Sequence, residues 1–123
     1  WMMKPEMYSD FYTLLEQKGI YLINTPEEYE RYHTLPGWYD DFADETAQSV
    51  WETEGNVENA LLKAKQLSGS YIVKDYVKSR KHEWYDACFI SNIADVANTA
   101  SVIKNFVERR GDSEIGCQSG YCA

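Results

Sequence analysis

Apolar positions along this chain recur with two periods, and each period predicts its own kind of element. Between Pro5 and Lys18, Met7, Phe11, Leu14 and Leu15 fall three and four residues apart. That is the spacing of a helix with one apolar stripe. Pro5 suits its first position and Gly19 its end. Ile20 to Ile23 reads as a short apolar strand. Thr25-Pro26-Glu27-Glu28 then carries the capping-box signature and predicts a helix over 26–33, broken by Leu35-Pro36-Gly37. Residues 38–55 show no sustained period, although Ser49-Val50-Trp51 has the character of a brief strand.

The second half is more regular. Asn56 is a helix cap, and Ala60, Leu61, Ala64 and Leu67 place one face of a helix over 57–67. Tyr71, Ile72, Val73, Tyr76 and Val77 are β-branched or aromatic and predict a strand over 71–78. Ala87-Cys88-Phe89-Ile90 predicts a second strand. The two form an antiparallel hairpin across a polar loop at 79–84. Val96, Ala100, Ile103 and Val107 predict a helix over 94–109, closed by Gly111. From Cys117 to Ala123 no period is visible, so 117–123 is expected to be an irregular tail. The order of elements implies an α+β fold, a hairpin (71–78 and 87–90) packed with helices.

A chain of 123 residues, 44% hydrophobic and 26% charged, suits one small globular domain. Its formal charge of −8 disfavours general binding to nucleic acid or to anionic membranes. No apolar run reaches the roughly 20 residues of a membrane span, and no leader-like segment stands at the start. Cys88, Cys117 and Cys122 are odd in number and not spaced as a zinc site, so a reducing, cytoplasmic setting is expected. Cys88 reads as a small core residue rather than a nucleophile. Asp40, Asp41, Asp44 and Glu45 match no calcium loop and read as a solvated acidic segment.

Against this acidic background Lys74, Lys78, Arg80 and Lys81 stand within eight residues. If the strand ran through them, Lys74, Tyr76, Lys78 and Arg80 would share one face, with cations roughly 6–7 Å apart. Such spacing suits the successive phosphates of a nucleotide. The residues alone leave open a solvated row of lysines. His82 is either a phosphate donor or a surface histidine, and Glu83 and Trp84 are expected to fix the loop. His33 reads as structural and Trp51 as a core residue rather than a base-stacking one.

The run YIVKDYVKSRKHEWYDACFI, with KPEM, LINTPEEYERYHTLP and SVW ahead of it, resembles the ATP-grasp superfamily, specifically the R-two-K clade, family three. The resemblance spans about residues 4–116, and VKDYVKSRKHEW is its most specific block. It implies a pre-ATP-grasp segment over 1–55 and a nucleotide-binding subdomain over 56–116. It also implies that ATP is held between two subdomains and spent on joining a carboxylate to an amine or thiol through an acylphosphate. By this resemblance Lys74 is the strand lysine near the α-phosphate and adenine. Lys78, Ser79, Arg80, Lys81 and His82 occupy the phosphate-covering loop. Cations placed there stabilise charge developing on a departing phosphoryl group. The resemblance fades after Gly116, before the second subdomain that supplies the Mg2+ ligands. The chain by itself is therefore expected to be inactive. The competing reading is a non-catalytic module that docks an acidic partner or anionic ligand through its basic hairpin.

Overall fold

The computed structural model describes residues 3–111 and 114–119. The chain divides into two compact units, Trp1–Asp41 and Phe42–Ala123.

The first unit contains α1 (Pro5–Glu16), α2 (Pro26–His33), α3 (Leu35–Trp38) and a 3-10 turn at Tyr39–Asp41. The expected α2 forms with its capping box: Glu28 N donates to Thr25 Oγ1 at 3.2 Å, and Thr25 N donates to Glu28 Oε2 at 2.8 Å. α1 ends two residues earlier than its pattern suggested. Its apolar stripe is not a core stripe, since Met7, Phe11 and Leu14 are exposed and no residue of α1 is buried. Tyrosines join α1 to α2 instead. The rings of Tyr8 and Tyr29 stack with centroids 3.9 Å apart, and Tyr8 Oη donates to the Asn24 carbonyl at 2.8 Å.

The expected strand at Ile20–Ile23 is absent. These residues are non-β, and Ile20, Tyr21 and Ile23 are exposed. A strand needs a neighbour for its backbone groups, and no described strand pairs with this run. The helix break near Leu35 occurs at Thr34, whose backbone is extended, and the chain re-enters a helical turn at once. Gly37 makes that tight re-entry possible. A Cβ built there would lie 2.3 Å from the carbonyl oxygen of Arg31.

The second unit comprises β1 (Ser49–Glu52), α4 (Val57–Ala64), β2 (Tyr71–Lys74), a 3-10 turn at Lys81–Glu83, α5 (Trp84–Ala87), β3 (Phe89–Ile90), α6 (Val96–Arg110) and β4 (Ile115–Ser119). Its sheet runs β1-β4-β2-β3, with every neighbouring pair antiparallel. The predicted hairpin pairing is present, Tyr71 opposite Ile90 and Ile72 opposite Phe89. Both of its strands are shorter than expected. β2 stops at Lys74 rather than 78, and Ala87 closes a helical turn instead of opening β3. Residues 42–55, assigned to a preceding segment on sequence, contribute β1 to this same sheet.

The largest departure is at the end. Residues 117–119, expected to be irregular, belong to β4, and β4 lies in the middle of the sheet. Ile115-Gly116-Cys117-Gln118-Ser119 alternates only through Ile115 and Cys117 and, apart from Ile115, has little β propensity. Its extended state is imposed by ladders on both sides, β1 on one and β2 on the other. Residues 120–123 of the expected tail lie outside the described residues.

Side chains alternate across the sheet. Tyr71, Val73, Ile115 and Cys117 enter a core with Ala60 and Ala64 of α4 and Val102, Ile103 and Phe106 of α6. Asn56 caps α4, accepting from Asn59 N at 3.1 Å. Asp95 caps α6 in the same way through Asn98 N, also at 3.1 Å. Gly111 ends α6 with φ of +66°, a left-handed conformation that glycine adopts without a Cβ penalty.

Gly37→Ala should force the backbone apart at Arg31 and lower stability by roughly 1–3 kcal/mol in urea unfolding. Cys88 and Cys117 are both buried, and burial pushes the Cys117 thiol up to about 12 and the Cys88 thiol upward. A thiol reagent at pH 8 should therefore leave both unmodified in the folded protein and label them on unfolding, as read by peptide mass.

Candidate functional site

The basic residues gather where β2 ends. Val73 points into the core, so Lys74 points to the other face of the sheet. The strand register sets Lys74 and Trp51 on either side of Gly116, in one row across β2, β4 and β1. Trp51, expected in the core, is half-buried on this second face. Lys74 is also half-buried, and burial pushes its ammonium pKa below the usual lysine value. The charge of Asp75 opposes that shift and the charge of Lys81 adds to it. Lys74 and Lys81 are thus near enough to repel each other.

Asp75 reverses the chain. Its Oδ1 accepts from Val77 N at 2.7 Å and from Lys78 N, while Asp75 N donates to the Lys78 carbonyl at 2.7 Å. This is the local side-chain capping that aspartate offers in turns. Lys74 then pairs with Ser79 across an isolated bridge. A continuous strand face of Lys74, Tyr76, Lys78 and Arg80 therefore does not exist, because the ladder has already turned back. Tyr76 instead reaches across the sheet, its Oη donating to the Glu52 carbonyl at 3.3 Å.

The other loop residues take distinct positions. Lys78, Lys81 and His82 are exposed. Ser79 lies against the Cys88 thiol, where its hydroxyl and the Lys81 charge partly offset the effect of burial. Arg80 is consumed by protein groups. Its Nε donates to Glu83 Oε2, its Nη1 to the Arg109 carbonyl at 3.4 Å, and its Nη2 lies 3.3 Å from His82 Nε2. The second oxygen of Glu83 accepts from Arg109 Nη1 at 2.8 Å. These contacts hold the Glu83 carboxyl below its ordinary pKa, led by the hydrogen bond from Arg80 and opposed by desolvation.

The structure adds residues the sequence reading passed over. Arg109 and Arg110 occupy the last turn of α6, where cations also suit the helix dipole. Arg110 Nη2 pairs with Asp75 Oδ2, and the Asp75 carboxylate is only 4% exposed. Adjacent arginines on one helix thus engage the two carboxylates that bracket the loop, Asp75 and Glu83. The Arg-Arg-Gly ending of a predicted helix and the aspartate inside KDYVK were visible signals, but nothing in the linear order joined them. Among the described residues, no hydrogen bond or ion pair engages the ammonium groups of Lys74, Lys78 and Lys81. Nor do any three His, Cys, Asp or Glu side chains among them gather as a metal-ligating group. No helix described is long and apolar enough to cross a membrane.

Because Glu83 has a lowered folded-state pKa, it stabilises the fold above its unfolded value, and that contribution is lost as pH falls through the folded one. The stability gap between wild type and Glu83→Gln should therefore be full at pH 7 and should close below about pH 4.5, as checked by urea unfolding at a series of pH values.

Residues 62–119 match the family described as ATP-grasp domain, R-two-K clade family 3. That segment begins within α4 and contains β2, the basic loop, α6 and β4. The fold is similar to the crystal structure of D-alanyl-alanine synthetase A from Vibrio cholerae O1 biovar eltor. The TM-score is 0.59 at 19% identity over 91% of this chain. The chain spans about a third of that protein's length, 33%. No curated protein sequence matches it. The chain is thus an α+β protein that is similar by sequence to the ATP-grasp domain, R-two-K clade family 3, over residues 62–119 and similar in fold to D-alanyl-alanine synthetase A over 91% of its length.

Proposed function

We propose that the face and loop built from Lys74, Lys78, Ser79, Lys81 and His82 bind the phosphates of ATP. In this reading the chain is the nucleotide-binding part of an ATP-grasp enzyme. The intact protein would join a carboxylate to an amine or thiol through an acylphosphate. The observation that carries the reading is the division of labour among the cations. The arginines around the loop are paired with protein groups, whereas the lysine ammonium groups have no such partner among the described residues.

The energetics favour a polyanion. Lys74 is half-buried, and both its burial and the nearby charge of Lys81 disfavour its charged form. A phosphate oxygen placed between them would offset both the desolvation and the repulsion. Lysine suits this role because its ammonium is a compact charge on a flexible stem, able to follow a phosphate that moves. Ser79 offers a hydroxyl beside them, and His82 an exposed imidazole. In a chain of net charge −8, this is a local attraction rather than a general affinity for anions.

ATP fits this set of donors. Mg2+, which the family implies, does not, since the described residues supply no group of three carboxylate, imidazole or thiolate ligands. No step is assigned to it. The carboxylate and nucleophile that would be joined are likewise left to the intact enzyme.

ATP should raise the melting temperature of the chain, because a ligand that binds only the folded state stabilises it. At a hundredfold excess over Kd the gain is roughly 2.7 kcal/mol. Lys74→Ala and Lys78→Ala together should abolish the rise while leaving the unliganded melting temperature nearly unchanged. An equal rise in the double variant would contradict the assignment. An equal response to tripolyphosphate and to ATP would point to an anion site without base recognition.

A further inference from the structure

Like charges in one short segment repel and spread unless counter-charges tie them down. Two carboxylates do so here, and both are anchored to the same turn of α6. At the entrance, Asp75 binds Arg110 and caps its own turn. At the exit, Glu83 divides its two oxygens between Arg80 of the loop and Arg109 of the helix. Residues 83 and 109 are 26 positions apart in sequence, so this contact fixes the loop against a separate element. The side chains of Arg80 and Glu83 are only 21% and 24% exposed. An ion pair this sheltered is less screened than one on the open surface.

Resting on the nucleotide reading above, we propose that Glu83 is the positioning residue of the basic loop. Through the Arg80–Glu83–Arg109 bridge it holds Ser79 and Lys81 over Lys74. It also keeps the Arg80 guanidinium on the protein and off the ligand. Arg109 is its partner in this role and touches no ligand. The loop is therefore set before the phosphates arrive, and binding does not have to order it.

The proposal predicts a result opposite in sign to simple electrostatics. Glu83→Gln removes a negative charge close to a phosphate site and frees Arg80, so charge alone would tighten ATP binding. Loss of positioning weakens it instead, by roughly tenfold, the lower end of what removing an orienting partner costs around a bound group. Arg109→Ala should weaken binding equally, and Arg109→Lys should recover part of the loss. The double variant Glu83→Gln/Arg109→Ala should bind within about a factor of two of either single variant, because both break one bridge.

The test is calorimetric titration of ATP into the wild-type chain and these variants, with amide exchange over residues 79–83 measured on the ligand-free proteins. Weaker, non-additive binding together with faster exchange in Glu83→Gln supports the proposal. ATP binding in Glu83→Gln that equals or exceeds that of wild type overturns it, as do losses that multiply in the double variant. If the wild type binds no ATP, the nucleotide reading falls. Exchange then decides the bridge alone: faster exchange in both single variants supports it, and unchanged exchange overturns it.

Discussion

A single buried carboxylate organises the part of the molecule that carries its basic residues. Asp75 is 3% exposed, and a carboxylate so placed is tolerated only when its oxygens are fully engaged. Two backbone amides of its own turn and the guanidinium of Arg110 engage them. That one requirement ends β2 at Lys74, turns the chain, and docks the turn on the end of α6. It leaves Lys74 as the last strand residue, on the face away from the helices, with Lys78 and Ser79 just beyond the reversal. Glu83 repeats the arrangement at the far end of the loop with Arg109. The division between the paired arginines and Lys74, Lys78 and Lys81, whose ammonium groups have no hydrogen-bond or ion-pair partner among the described residues, follows from these two carboxylates. Arginine matches a fixed carboxylate with a planar fork of donors that lysine lacks.

The sheet supplies the platform. β4 pairs on both sides, and its alternating residues Ile115 and Cys117 complete the core with Tyr71, Val73 and Phe106. Gly116 lies between Trp51 and Lys74 in the register. The same period of two that buries Val73 therefore turns Lys74 outward. The core and the face that carries Lys74 are opposite faces of the same strands. A change that slipped β2 by one residue would exchange the two and lose both.

Much of this was legible in the residues. The capping box of Thr25 and Glu28, the cap at Asn56, the αL glycine at 111 and the apolar spacing of α6 are local signals, and each element formed near its predicted place. The pairing of Tyr71 with Ile90 followed from adjacent β-prone runs. What was not legible depended on partners distant in sequence. β4 has little propensity of its own and is extended only because β1 and β2 flank it. Ile20 to Ile23 has the propensity but pairs with no described strand, and so forms none. The basic cluster was found by charge alone. Its geometry was misjudged, because a strand pattern continues through Tyr76 and Val77 while Asp75 has already turned the backbone. Arg109 and Arg110 were invisible as loop partners for the same reason: only the packing of α6 beside α5 and the 3-10 turn brings them there.

The central claim is that the lysines this arrangement leaves without a partner among the described residues meet phosphate, with Lys74 foremost. The most direct measurement is the pH titration of the Lys74 side chain by heteronuclear NMR, with and without ATP. In the free protein its pKa should lie below the usual lysine value, because burial lowers it. With ATP bound it should rise, since a neighbouring phosphate favours the charged form. The account predicts that rise at Lys74, and its disappearance on Lys78→Ala/Lys81→Ala if those groups complete the site. A Lys74 signal that titrates identically with and without saturating ATP would contradict it.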